Sequence, residues 1–347
     1  MAMVLNGSAL WADTLEVPES LSRTIDALAT DTGTGSAPEL LRHLVSRGPR
    51  RLLVTGNGAA YYAGLALWTA ALRTPLAGVE VVPVPAGLFA SDHVHTGPGD
   101  VLVIVSSSGE LRDLIEALPA LHAEAVVVVT ANPDSTLARA ADAVVTTRVL
   151  HQRAVSHTQA FLANVVALLT VWARLTRDDA LVAAVAAAPE LAAESLAMAA
   201  AWGEEHGAQV ATWRGGIAVG AGGALSAALE TALLLREVAA IPTEGMESRE
   251  GATTGMYALG AGQGVVGVGG GSPVTREALA VCRRTGADVL ELPWPATCPV
   301  GLEPVAALAP AVALAISAGL ARGLDVDNPP WTSTYFSTAR VPTEASA

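Results

Sequence analysis

Three consecutive serines and a glycine, Ser106-Ser107-Ser108-Gly109, follow the apolar run Val101–Val105 and precede the helically spaced Leu111, Leu114, Ile115 and Leu118. Hydroxyls and backbone N–H groups in a turn between a strand and a helix suit an anion such as phosphate. The same residues fit a capping box, Ser107 with Glu110 three residues on, which needs no ligand. A second cluster is acidic. Glu230 and Glu237 lie seven positions apart in the apolar stretch ALETALLLREVAA, which places them on one side of a helix. Burial there raises a carboxyl toward the range of a general base. The alternative is a solvated face on which Arg236 accompanies both. Pro242–Gly255 (PTEGMESREGATTG) then carries Glu244, Glu247, Arg249 and Glu250 in a glycine-punctuated loop, of the kind that lines a site or simply lies in solvent.

Other chemistries are excluded or weakened by what the chain lacks. All 20 basic residues are arginine, so neither a lysine imine nor a Walker-type P-loop is available. Gly56-Asn57-Gly58 has Tyr61 where a dinucleotide fingerprint wants its third glycine, which argues against NAD(P). His93 and His95 form an H-x-H pair with no cysteine or further histidine nearby, so no zinc site is expected, and no other cofactor is indicated. There is no G-x-S-x-G elbow for a serine hydrolase. A net charge of −13, with no basic cluster beyond Arg50–Arg51 and Arg283–Arg284, argues against nucleic acid. Hydrophobic residues make up 51%, yet no uninterrupted apolar stretch is of membrane-spanning length. The N-terminal stretch has no basic start and meets Asp13 and Glu16 early, unlike a signal peptide. Cys282 and Cys298 are too few for a disulfide framework. The expectation is a cytoplasmic protein without a membrane or nucleic-acid partner.

The elements that must position these residues alternate in type. Thr14–Leu28 has a helical rhythm, and Thr32–Pro38 reads as a loop. Strands are expected at Arg51–Thr55, Val79–Val84, Val101–Val105, Ala125–Thr130 and Ala143–Thr147, with helices at Glu39–Val45, Ala59–Leu72 and after Asn132–Ser135. Gln159–Leu175 and Asp179–Trp202 are long apolar helical stretches. The alternation then resumes, with strands at Ile217–Gly220, Val265–Gly269 and Val289–Leu292 and helices at Ala224–Val238, Val274–Thr285 and Val305–Leu320. Asp325–Ala347, polar and hydroxyl-rich, reads as a tail over a surface. Two βα halves predict α/β architecture, each half a three-layer sandwich around a mainly parallel sheet.

Six segments together resemble the SIS (sugar isomerase) family: Thr55–Gly64, Val105–Glu110, Thr130–Asp142, Val155–Phe161, Gly220–Glu237 and Asp325–Pro329. They arrive in family order and span about residues 40 to 335. The pattern is similar to the two-SIS proteins, among them the isomerase half of glucosamine-6-phosphate synthase and its deaminase and deglycase relatives. The resemblance implies two tandem SIS domains: an N-terminal arm over 1–40, a first domain over 41–178, a linking helix with a second domain over 179–330, and a tail over 331–347. It also implies a homodimer and a sugar 6-phosphate or derivative as ligand. Glu237 matches the family's proton-moving glutamate, and Ser106, Ser107 and Ser108 match its phosphate loop. Gly58, Ser156, His157, Glu230 and Thr253 fall at further substrate-contacting positions.

The chain also departs from the family pattern. Ala60 stands for a phosphate-binding serine and Leu111 for a threonine. Leu234 replaces the helix lysine, Thr253 the ring-opening histidine, and the C-terminal lysine aligns near Thr334. The expected activity is isomerisation, or deaminase- or deglycase-type C–N cleavage, through proton transfer at C1/C2. The alternatives are a non-catalytic sugar-phosphate-binding protein and an enzyme with a divergent, unphosphorylated substrate.

Overall fold

A computed structural model describes residues 5–31, 36–48, 50–91 and 93–340. Part of the expected loop at 32–38 and the end of the expected tail lie outside these. In chain order the elements are α1 (Ala9–Leu15), α2 (Val17–Thr30), α3 (Ala37–Ser46), β1 (Arg50–Gly56), α4 (Ala59–Arg73), β2 (Val79–Pro85), α5 (Gly87–Ala90), β3 (Asp100–Val105), α6 (Arg112–Ala117), β4 (Ala125–Thr130), α7 (Thr136–Arg139), β5 (Ala143–Thr146) and α8 (Thr158–Thr176). There follow α9 (Asp179–Ala186), α10 (Ala188–Val210), β6 (Gly215–Gly220), α11 (Ala224–Glu237), β7 (Thr243–Glu247), α12 (Ser248–Thr253), β8 (Gln263–Val268), α13 (Pro273–Arg283), β9 (Asp288–Glu291), α14 (Glu303–Ala321) and α15 (Thr332–Ala339).

Both sheets are parallel, as apolar runs separated by helices require. Residues 20–149, 160–185 and 330–347 make one compact unit, around a sheet of order β2-β1-β3-β4-β5. Every residue of β3 is buried, including Asp100, whose carboxylate pairs with Arg51 at the start of β1 (2.8 Å). In this sheet β1 is flanked by β2 and β3, with Thr55 in register with Ile104. The chain turns to opposite sides after β1 and after β3, which makes their carboxyl ends the topological switch point where open α/β sheets bind ligands. Gly56–Gly58 leaves from one strand and Ser106–Gly109 from the other.

Residues 1–19, 150–159 and 186–329 make a second unit, around a sheet of order β7-β6-β8-β9. Helix α14 packs along α10 and against α11, and sixteen of its residues, Pro304 to Gly319, are buried.

Several elements differ from expectation. The helical stretch at 179–202 is two helices, because Pro189 opens α10 after a break at Ala187. Pro242–Gly255 is not a loop but edge strand β7 followed by α12. Part of the expected tail is helix α15. Two helices, α8 and α14, are in fact long and apolar enough to cross a membrane, and 89% of each such window is buried inside the protein. Each carries a single charged side chain, Arg174 and Glu303 respectively, so composition alone does not separate a span from a core helix here.

Candidate active-site residues

The serine loop is held from below by the end of β4. Thr130 Oγ1 and the Ala131 N–H both donate to the Ser107 carbonyl (3.2 and 3.1 Å). The Leu137 N–H donates to the Gly109 carbonyl (3.1 Å), and the Glu110 carboxylate accepts from the Thr136 N–H (2.8 Å). The segment after β4 thus clamps the loop after β3. Gly109 has φ of +67°, and a Cβ there would lie 1.9 Å from Ser135 Oγ, so only glycine fits.

This geometry removes the capping-box alternative. Glu110 caps α7 rather than reaching back to Ser107, and α6 begins only at Arg112. The loop therefore owes nothing to a helix end at the serines. Instead, each serine hydroxyl accepts one bond from within the protein. Ser106 Oγ takes the Gly109 N–H (3.1 Å), Ser107 Oγ takes Asn164 Nδ2 (3.2 Å) and Ser108 Oγ takes the Glu110 N–H (3.3 Å). With a lone pair filled on each oxygen, all three O–H hydrogens are left to donate. The Ser107 and Ser108 N–H groups carry no hydrogen bond among the described residues. Five donors on one turn, with no cation, suit a phosphate or similar oxyanion. Gly58, expected beside this loop, sits at the end of the neighbouring strand as the residue before α4, exposed, with φ of +52°.

The second unit carries the carboxylates. Glu230 and Glu237 both lie on α11, as the spacing predicts. The shared solvated face is half corrected: Glu230 is 4% exposed, whereas Glu237, the last helical residue, is accessible. Glu230 Oε2 has no hydrogen-bond partner among the described residues. Burial, and then the negative charge of Glu237, push the Glu230 carboxyl well above the ordinary range. Glu237 is also raised, chiefly by desolvation, while the Ser156 hydroxyl that donates to it (3.0 Å) and the charge of Arg236 pull the other way. Its carboxyl is open to solvent yet crowded by protein, the condition of a working base. Arg236 itself hydrogen-bonds the Thr243 carbonyl.

Ser156 is placed by two anchors, one buried and one half-buried. Asp13, fully buried, accepts from the Arg153 and Ala154 N–H groups and pairs with the Arg153 guanidinium. The Asp327 carbonyl accepts from the Val155 N–H (3.3 Å), while its carboxylate caps α1 through Ser8, Ala9 and Leu10. The Asp325–Pro329 segment thus fixes the turn that presents Ser156. His157 follows, half-buried. Thr253 ends α12, exposed, with its hydroxyl spent on the Arg249 carbonyl. Hence the structure joins Ser156, Glu230 and Glu237 in one unit and Ser106–Ser108 with Gly58 in the other, and leaves Thr253 turned to its own helix. Asn164 and Asp13 were missed from sequence; the available signal was a lone amide or acid inside an otherwise apolar helical stretch. Among the described residues no group of three or more His, Cys, Asp or Glu is arranged to hold a metal.

Comparison with known proteins agrees with this architecture. The SIS domain family model matches residues 47–175, so this part of the chain is a SIS domain. Over 244 residues, 68% of its length, it is 31% identical to glutamine–fructose-6-phosphate aminotransferase (isomerizing) of Pyrobaculum aerophilum, of which it covers 39%. The chain thus spans about two fifths of that relative. Among solved structures, the C-terminal domain of glucosamine-fructose-6-phosphate aminotransferase from Francisella tularensis superposes with a TM-score of 0.78 at 20% identity, covering 92% of this chain and 98% of that one. Tagatose-6-phosphate ketose/aldose isomerase from Escherichia coli gives 0.68 at 18% identity, covering 93% and 96%. At these identities the likeness is one of fold.

Proposed function

We propose that the chain acts on a phosphosugar or phosphorylated amino sugar by moving a proton between C1 and C2, as in aldose–ketose isomerisation. Ser106, Ser107 and Ser108 take the phosphate, replacing its water shell with hydroxyl and N–H donors. Glu237 is the base: it removes the proton from the carbon next to the carbonyl and returns it to the other, through an enediol. The Ser156 hydroxyl steadies its carboxylate. One observation carries the reaction: an accessible carboxyl, hydrogen-bonded by a buried serine, with its proton affinity raised. C–N cleavage of deaminase or deglycase type starts with the same proton transfer and uses the same glutamate. We further propose two tandem SIS domains, the second on the four-stranded sheet, and a homodimer as the working form. The relatives' names, which include fructose 6-phosphate and tagatose 6-phosphate, support the ligand class.

A second reading is favoured by Thr253 and Leu234, which leave no histidine or lysine at the family's positions: a non-catalytic phosphosugar-binding protein. Incubation with fructose 6-phosphate or glucosamine 6-phosphate in D₂O separates the two. Deuterium at C1 or C2, lost in Glu237→Gln, is the expected result. Thermal stabilisation by these compounds with no exchange would leave the binding protein.

A further inference from the structure

Helix α8 reads AFLANVVALL over residues 160–169, and Asn164 is the one polar side chain in that run. It is 1% exposed. A buried amide is costly unless its groups are partnered. Yet its Oδ1 has no hydrogen-bond partner among the described residues, while its Nδ2 donates to Ser107 Oγ. As a structural tie this is a poor one: half of the amide is left unsatisfied. As a device acting on the serine loop it has a definite effect, because an N–H donor on Ser107 Oγ fills a lone pair and turns the hydroxyl hydrogen outward.

We propose that Asn164 is a positioning residue that sets the polarity of Ser107, so that the central serine of the loop meets a ligand as a hydrogen-bond donor. The inference rests on the serine loop being the phosphate site. Ser106 and Ser108 have their polarity set by backbone N–H groups, which no side-chain change alters; Ser107 alone depends on a side chain. Substitution at 164 therefore acts on the anion without touching it.

The test is calorimetric titration of the full-length protein with fructose 6-phosphate, and with inorganic phosphate as a second probe. Asn164→Leu, of similar size, is expected to weaken binding about threefold to tenfold, the usual worth of one hydrogen bond. Its thermal midpoint should be unchanged or raised, since it removes a half-satisfied buried amide. Asn164→Asp should weaken binding more at neutral pH, because a carboxylate accepts the Ser107 hydrogen, and should recover as the pH is lowered and the acid becomes a donor. In a Ser107→Ala background, Asn164→Leu should have no further effect on affinity, because the two act as one unit. Asn164→Ala serves in the same cycle should either variant fail to fold. Losses that add in the double variant, or affinity unchanged in every Asn164 variant, would overturn the inference alone. No binding of either probe by the wild-type protein would overturn it together with the phosphate reading of the loop.

Discussion

At Glu230 a carboxyl enters a helix interior that offers one of its oxygens no donor. Four residues on, Leu234 supplies only hydrocarbon. The proton is the remaining way to remove the charge, and the negative Glu237 on the same helix favours keeping it. The consequence for stability has a definite sign. As pH rises past about 4.5, the unfolded chain releases the Glu230 proton while the folded chain holds it. Folding is then disfavoured by up to about 1.4 kcal/mol per pH unit until the raised folded value is reached. Glu230→Gln, a neutral mimic of the protonated acid, should therefore be more stable than wild type, by a margin that widens in thermal melts as the pH is raised above the ordinary carboxyl value of about 4.5. A constant margin would show that Glu230 ionises in the fold. Glu237 should behave differently, since its carboxyl is accessible and bonded by Ser156. Glu237→Gln should cut solvent deuterium exchange into a sugar phosphate by about 10²–10⁴-fold, the usual contribution of a positioned base. Glu230→Gln should leave that exchange within a few-fold of wild type, because glutamine keeps the size of the side chain and the neutral form that burial favours there.

At the scale of elements, the clearest case is α15, whose hydroxyl-rich sequence TSTYFSTA buries no residue. A guanidinium helps to tie it down: Arg112, at the start of α6, donates to the Ser337 and Arg340 carbonyls, both at 2.8 Å, beside a backbone bridge between Leu111 and Arg340. Arg112→Ala should raise amide exchange over 332–339 by roughly tenfold, the equivalent of about 1–2 kcal/mol of local stability, with the strands of the same sheet unaffected. Such a helix has no apolar stripe for periodicity to find, so its sequence reads as tail. The edge strand β7 was hidden in a similar way. TEGME has a glycine at its centre and two glutamates, and its pairing with β6 is a matter of backbone, which side-chain pattern does not reveal. By contrast β3, β4 and α11 are legible because their apolar runs are largely buried, and their expected bounds match to within a residue. At the candidate site, the serine triplet and both glutamates were legible as residue types in telling places. Their partners were not, because Asn164 lies 57 residues from Ser107 and Ser156 lies 81 from Glu237, and nothing local links them.

Across the whole molecule, one compositional fact restricts the chemistry more than any contact does. The chain has 20 basic residues and all are arginine, so the only primary amine in this sequence is at its N-terminus. Arginine stays protonated and cannot form an imine with a sugar carbonyl at working pH. On the reading proposed above, proton transfer proceeds on the free carbonyl, with polarisation from hydrogen-bond donors or from arginine as a fixed charge rather than from an iminium. Borohydride treatment in the presence of fructose 6-phosphate tests this across the chain, because an imine on the path would be reduced to a stable adduct. After removal of excess reagent and sugar, deuterium exchange should be unchanged, and intact mass should show no sugar on any internal peptide. Loss of exchange together with an adduct at the N-terminal amine would put an imine on the path and demote Glu237 from sole agent to partner. Retained exchange without an adduct leaves a carboxylate and a free carbonyl as the whole of the reacting chemistry, which is the arrangement that an accessible, raised Glu237 supports.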